Sequence, residues 1–529
     1  MIRHTLNPAR PSLSHAEWFC IIAIMLLAAG LRFVALDRVP PSLNVDEAVN
    51  GYEAYSLLKT GHDEWGNAWP VTIRAFNDYR CPAVVYTSVP FVALFGLTVF
   101  GVRAAAATWG LLTVLFTYRL ARDMLGRRTG LLAAFMLSIS PWHLSFSRSG
   151  REAAVAIFTV VLGAWCIWHW LRTQRRAWLI GAALVFGLSL YTYNTLLAFT
   201  PLMLAVYSLW TARMLWQQKQ TVMLAAIILV LVATPLLYAL TTNSQSQNRL
   251  NAVFLLHPGE PVGESLIIIR QWLGHFSPDY LFIRGDAHLV LHSPGSGQLY
   301  GVDALLLPLG MLGVFWTSKN RRAGLLLITW IALGAVPAAL TVQEMGTAHS
   351  LRGMLGLPAF AILSAQGATT LWNAHRIRPR LRAALLGALV GLLVWNGGTT
   401  LQYYFVVYPV QAAPAYEFGI REAVSYISAH ENEYDTIVLT SWISQPHIFV
   451  LFFQRYDPRR FQAGPVEYSQ KLSAKVKSWN KYVVGDVDKL YAQLDHGLFV
   501  ARPHMLPGIE PVQVIYYPDG SPAFKIISR

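Results

Sequence analysis

Two adjacent carboxylates, Asp46 and Glu47, stand in the stretch PPSLNVDEAVNGYEAY, which begins at Pro40 just after the first apolar segment of the chain. A carboxylate at an aqueous surface can take a proton from an attacking hydroxyl or amine, so the pair is a candidate for general-base chemistry. The same residues also fit a helix start. Asn44 precedes Glu47 by three positions, an approximate capping box with Asn in place of Ser or Thr. Ala48, Val49, Tyr52 and Tyr55 then fall on one helical face, and Gly61 offers a stop. Acids at that position favour the positive end of the helix dipole whatever else they do. The readings are compatible, because a helix start holds a side chain well enough for base work.

Further polar groups collect in other loops. SPWHLSFSRSGRE places Arg148 and Arg151 together, and a guanidinium fork suits either a phosphate or a lipid headgroup. His143 in that stretch reads equally as an interfacial histidine. The segment HFSPDYLFIRGDAHLVLHSPGSGQLYG (275–301) is long and dense in His, Asp, Gly and aromatic residues, a composition typical of functional loops. Its His275, Asp286, His288 and His292 are of metal-ligating types, but their spacing matches no standard site. A divalent metal therefore stays open, with no ligand assigned and no cofactor named. AHSLRG adds His349 and Arg352. Tyr52, His143, Tyr193, Asp286, His292 and His349 complete the set of candidate substrate contacts.

The elements that must position these groups are membrane spans. Of 529 residues, 54% are hydrophobic and 13% charged, with a mean hydropathy of +0.40, too apolar for an ordinary soluble protein. Apolar runs of about 18 residues, enough for a bilayer core, recur along most of the chain. They lie near 18–36, 82–100, 102–122, 130–146, 152–171, 177–193, 195–214, 221–240, 302–317, 323–341, 352–372 and 383–403. If all crossed, the basic connections would fall on alternating sides after the second. Treating 82–100, with its prolines, as interfacial or re-entrant repairs the pattern. About eleven spans with a cytoplasmic N-terminus then place YRLARDMLGRR, LRTQRR, ARMLWQQKQ, TSKNRR and NAHRIRPRLR inside. The first span reads as an uncleaved anchor. Outside fall 37–101, 145–152, 191–195, 241–301, 341–353 and everything after about 404.

The net charge of +14 is accounted for by these inside connections, and no aromatic-interleaved basic stripe points to nucleic acid. Cys20, Cys81 and Cys166 are far apart and form no legible disulfide framework. The spans hold almost no acidic residue near mid-membrane, which counts against proton- or ion-coupled transport. The expected division is a transmembrane part, 1–403, and a small outside α/β domain, 404–529. In the latter, GIREAVSYISAH has helical spacing, DTIVLT reads as a buried strand, HIFVLFFQRY as an apolar helix or strand, and VQVIYYPDGSPAFKIIS as a hairpin.

With the acid pair, Arg-Cys-Pro entering the 82–100 segment, SPWHLSFSR, YTYNTLLAFTPL, HFSPDYLFIRGD…HSPGSGQLYG and HSLRGMLGLP, the chain resembles bacterial members of the protein O-mannosyltransferase and aminoarabinose-transferase-like glycosyltransferases. The resemblance covers about residues 15–405. It implies the GT-C fold: a mainly α, polytopic membrane protein with outside juxtamembrane helices. It also implies a polyprenyl-phosphate-linked sugar donor and a lipid, glycan or protein acceptor. Reaction would occur on the periplasmic side of a bacterial inner membrane. The resemblance makes Asp46 the base with Glu47 its acidic neighbour, and Arg80, Arg148 and Arg352 the donor-phosphate ligands. The chain departs from the eukaryotic protein mannosyltransferases in lacking a large inserted lumenal domain, and from oligosaccharyltransferases in lacking their WWD motif. The expected activity is inverting glycosyl transfer. A lipid-linked-sugar flippase, an O-antigen-ligase-like glycan transferase and a scaffolding role are the alternatives. The acid pair argues for the first reading over the flippase and the ligase, and the many outward polar groups argue against a scaffold.

Overall fold

A computed structural model of the chain describes residues 14–76, 78–242, 255, 261–316, 321–343, 345–468 and 475–529. The polar first 13 residues, much of the expected 241–301 loop (243–254 and 256–260) and part of the TSKNRR connection (317–320) lie outside the described residues. The first apolar segment folds as α1 (His15–Phe33), started by the Ser14 side chain accepting from the Glu17 amide at 3.2 Å. After α1 come α2 (Val45–Thr60), a hairpin of β1 (Ile73–Ala75) and β2 (Asp78–Arg80), α3 (Ala83–Phe95) and α4 (Val99–Leu125). The bundle continues through α5 (Arg127–Ile139), α6 (Pro141–Ser147), α7 (Ala153–Thr173), α8 (Arg176–Ser189), α9 (Leu196–Gln217) and α10 (Lys219–Thr242).

Among the described residues, eight helices are long and apolar enough to cross a membrane, and nine if α5 and α6, bent by 62°, form one broken span. The protein is a multi-pass membrane protein. The expected crossings coincide with these helices together with two short ones, α8 and Asp303–Phe315. At 1.5 Å per residue, 14-residue α8 reaches roughly 21 Å, short of a hydrocarbon core of about 30 Å. The turn that follows it meets the start of α3, where the Ala83 amide donates to the Tyr191 carbonyl at 3.0 Å. The demoted 82–100 segment is the 13-residue α3, with Pro90 inside it. The helices Asp303–Trp316 and Leu357–Trp372 cross at Gly310 and Gly367, where a Cβ on either glycine would overlap a backbone carbonyl of the other helix.

One apolar core lies within the bundle. A second is shared: Val49, Tyr52 and Ala54 of α2 and Val85 of α3 pack with Ile448, Phe449 and Phe452 from beyond residue 404. The unit expected as a separate domain at 404–529 is thus cored partly on the first loop. It carries a seven-stranded mixed sheet, β4-β5-β6-β3-β7-β9-β8. Its strands are β3 (Thr436–Thr440), β4 (Val466–Tyr468), β5 (Val476–Trp479), β6 (Tyr482–Gly485), β7 (Gly497–Ala501), β8 (Gln513–Tyr516) and β9 (Pro522–Ser528). Strand β3 runs parallel to both β6 and β7, and β8–β9 is the hairpin read from the sequence. HIFVLFFQRY resolves as a helix, Pro446–Phe453.

Candidate active site

The start of α2 has a complete capping box, with the Asn44 side chain accepting from the Glu47 amide at 3.1 Å and Glu47 accepting from the Asn44 amide at 3.1 Å. Glu47 is fully buried. Its Oε1 accepts from Arg103 Nε and from the Gly150 amide, each at 2.8 Å, and its Oε2 from Arg103 Nη2 at 3.0 Å. Arg103 also donates to the carbonyls of Leu36 and Pro40. Asn50 Nδ2 donates to the Gly150 carbonyl at 3.1 Å. One buried ion pair and one amide thus lock three things together: the helix start, the first turns of α4 and the loop between α6 and α7.

That lock brings Asp46 to two arginines. Arg80, at the end of β2, meets Asp46 Oδ1 at 2.7 Å, and Arg151, after the locked Gly150, meets Asp46 Oδ2 at 2.7 Å. Arg80 Nε also lies 3.7 Å from Asp78. Burial acts against the charge on both guanidinium groups, but Asp46 and Glu152 outweigh it and push both above the ordinary arginine range. The three residues line a cavity of about 460 Å³ with Glu152, Tyr193, Asn194, His288, His349 and Arg352. Cys81 donates to Asn194 Oδ1 at 3.0 Å, which ties the 191–195 turn to the entry of α3.

The 275–301 loop supplies the opposite wall. Asp286 accepts from the His288 amide at 2.9 Å and from the Ser350 amide at 2.7 Å, while the His349 amide donates to His275 Nε2 at 3.1 Å. These bonds set the turn that points His349 and Arg352 into the cavity. Burial and the neighbouring Arg352 pull the His349 imidazole down to about 3, so it is neutral at neutral pH. Its Nδ1 accepts from the Arg352 amide at 3.4 Å, which leaves the proton on Nε2. Arg352 itself donates to Thr341 Oγ1 at 3.0 Å and to the Val342 carbonyl at 2.8 Å. Burial pushes the Tyr193 phenol up to about 12, making it a hydrogen-bond donor rather than a base.

Of the residues singled out in the sequence, the structure gathers Asp46, Arg80, Arg151, Tyr193, His288, His349 and Arg352 at this cavity. It does not bring the others there. Glu47 has both oxygens occupied in the lock just described. Arg148, expected at the donor phosphate, is fully buried behind the cavity and donates to the carbonyls of Leu31, Val34, Ala35 and Val39. A guanidinium there closes the carbonyl end of α1, where the helix leaves orphan acceptors and negative dipole charge. His143 is buried against Arg32 at 2.6 Å. Tyr52 is buried and donates to the Tyr456 carbonyl at 3.1 Å, joining α2 to the C-terminal unit. Asp286 acts behind the wall, and His292 folds onto the Ser296 carbonyl at 2.9 Å. No group of three or more His, Cys, Asp or Glu among the described residues could hold a metal ion.

Arg151 is the site residue that sequence reasoning passed over in favour of Arg148. The two stand three apart in one loop, and only the contact with Asp46 tells them apart. Glu152 and Asn194, inside the quoted SPWHLSFSRSGRE and YTYNTLLAFTPL stretches, and Glu417 and Ser444 from the C-terminal unit also border the cavity.

Residues 80–238 match the family model described as dolichyl-phosphate-mannose-protein mannosyltransferase. The Bacillus subtilis (strain 168) protein YycA, provisionally named a mannosyltransferase, is 22% identical over 46% of this chain and 35% of its own length. YkcB of the same strain, named likewise, is 25% identical over 32% of this chain and 23% of its own. The chain therefore spans about a third or less of the curated relatives it matches. Among solved structures, ArnT from Cupriavidus metallidurans bound to undecaprenyl phosphate shares the fold at a TM-score of 0.59 and 15% identity, covering 97% of this chain and 98% of that one. An Archaeoglobus fulgidus oligosaccharyltransferase tethered with an acceptor peptide matches at a TM-score of 0.53 and 12% identity, covering 83% of this chain and 63% of that one.

Proposed function

We propose that this chain, which has the GT-C fold of ArnT, belongs to the ArnT- and protein-mannosyltransferase-like group and is an inverting glycosyltransferase. It would move a sugar from a polyprenyl-phosphate donor to an acceptor on the outer face of the membrane. The observation that carries this reading is Asp46 bracketed by Arg80 and Arg151 in a cavity walled by loops between spans. The ArnT structure with undecaprenyl phosphate supports a lipid-phosphate ligand for this fold.

In this reading Asp46 takes the proton of an acceptor hydroxyl or amine as that atom attacks the anomeric carbon. Attack comes from the face opposite the lipid phosphate, the bond from that carbon to the phosphate oxygen breaks, and one displacement inverts the centre. Polyprenyl phosphate leaves with its charge held by hydrogen bonds from Arg80 and Arg151, with Arg352 across the cavity. Neutral His349 offers a further donor to the sugar or acceptor.

The test is donor consumption by purified protein given a panel of polyprenyl-phosphate sugars, mannose included. Asp46→Asn is expected to abolish transfer while the protein inserts and accumulates as before. Transfer by that variant at the unmodified rate would remove Asp46 from the base role.

A further inference from the structure

The two roles assigned to the Asp46 cluster compete for the same atoms. Each carboxylate oxygen of Asp46 is held by a different guanidinium at 2.7 Å. A carboxylate held in this way is a weak base, and an arginine fork occupied by a carboxylate is not ready for a phosphate. Yet both arginines line the cavity, and Asp46 is the residue between them.

We propose that the donor's lipid phosphate displaces Asp46 from Arg80 and Arg151, so that the base is released only in the donor-bound enzyme, with Arg151 as the second arm of the exchange. This rests on the glycosyl-transfer reading above. The backbone on either side is fixed by the Glu47–Arg103 pair and by the Gly150 amide on Glu47. Arg80 keeps Asp78 at 3.7 Å when Asp46 leaves. The side chains of Arg80 and Asp46 are each 20% exposed and that of Arg151 11%, open enough for a ligand to reach them.

The exchange orders the reaction. Without donor, Asp46 stays paired and takes no proton from a waiting acceptor. With donor bound, the phosphate fills the two forks and Asp46, no longer held by them, faces the acceptor. Transfer moves one proton from acceptor to Asp46 and leaves polyprenyl phosphate on the arginines. Once Asp46 gives that proton to solvent, its renewed charge competes for the arginines and helps expel the lipid.

Binding of undecaprenyl phosphate, the probe for the donor's lipid phosphate, tests this without reading turnover. Asp46→Asn removes the competitor and is expected to bind undecaprenyl phosphate roughly tenfold more tightly, as loss of the two partly buried charged pairs it must displace would allow. Arg151→Ala is expected to bind it several-fold more weakly. If Asp46 only braced the arginines, Asp46→Asn would bind equally or less tightly, and that result overturns the exchange. In a structure of the unmodified protein with undecaprenyl phosphate, at least one Asp46–arginine distance should open beyond about 4 Å, the usual limit of an ion pair. Both pairs remaining closed around the bound lipid would equally overturn it. An inactive Asp46→Asn whose affinity is unchanged defeats the exchange alone, whereas a fully active one defeats the base reading beneath it.

Discussion

At the scale of single residues, position in a loop and position in a site are different things. Arg148 and Arg151 share a loop, a side of the membrane and a residue type, but one caps α1 and the other meets Asp46. Arg148→Ala is therefore expected to leave undecaprenyl phosphate affinity unchanged while lowering thermal stability by about 2–4 kcal/mol, the range for stripping buried carbonyls of a charged partner. A melting curve and a binding isotherm on the same preparation check it. A matching drop in affinity would return Arg148 to the donor site. Asp46 and Glu47 divide in the same way. The capping box at Asn44 was legible in the stretch PPSLNVDEAVNGYEAY, because it follows from spacing. That Glu47 is spent on Arg103 was not legible, since a residue of α4 far along the chain supplies the partner.

At the scale of elements, the first loop is held by contacts that hydropathy does not report. Gly51 sits on the face of α2 that touches both neighbours, where a Cβ would lie 2.5 Å from Val102 of α4 and 2.6 Å from the ring of Phe452. Gly51→Val is expected to lower thermal stability by about 1–3 kcal/mol as the packing is forced apart, which differential scanning fluorimetry would show. A melting point equal to that of the unmodified protein would mean the C-terminal unit yields without cost. On the inner side of the same loop, Glu53 and Glu64 are fully buried, and neither Glu64 oxygen has a hydrogen-bond partner among the described residues. Burial and the nearby Asp63 push Glu64 up to about 8. The folded form thus keeps a proton that the unfolded chain loses above about 4.5. The stabilising contribution is complete below about 4.5 and is lost as pH rises to about 8. Glu64→Gln should flatten that decline and gain most over the unmodified protein near pH 8. Parallel pH profiles of the two melting points would sink the account. The apolar runs themselves reveal the spans, because crossing a bilayer demands length and hydrophobicity. The break between α5 and α6 falls at Ser140-Pro141, a capping residue followed by proline that marks a new helix start, which hydropathy does not register.

At the scale of the molecule, the cavity is a product of both halves. The bundle side supplies Asp46, Arg80 and Arg151, while Glu417 and Ser444 of the C-terminal unit close the wall beyond them. Glu417 holds a left-handed backbone with φ of 48°. Its side chain pairs with Arg502 at 2.5 Å and accepts from the Ser444 amide at 3.2 Å. The segment leading to it is pinned to the 275–301 loop, where Tyr408 donates to the Leu289 carbonyl at 2.6 Å and Tyr416 to that of Val290 at 3.3 Å. The change of composition near residue 404 marks the start of the C-terminal unit, but it does not reveal the dependence of one part on the other. It runs through the shared core of α2, α3 and Pro446–Phe453. In the proposed reaction the lipid-linked donor reaches the arginines from the bundle, which leaves the wall built by the C-terminal unit to the acceptor. Glu417→Ala should then raise the acceptor KM by about three- to tenfold with kcat and undecaprenyl phosphate affinity little changed, the pattern of a lost contact that binds ground and transition states alike. Steady-state kinetics with the acceptor varied at saturating donor separates this from a bracing role. If donor affinity and kcat fell together with the melting point, the C-terminal unit would be a support for the site and not one of its walls.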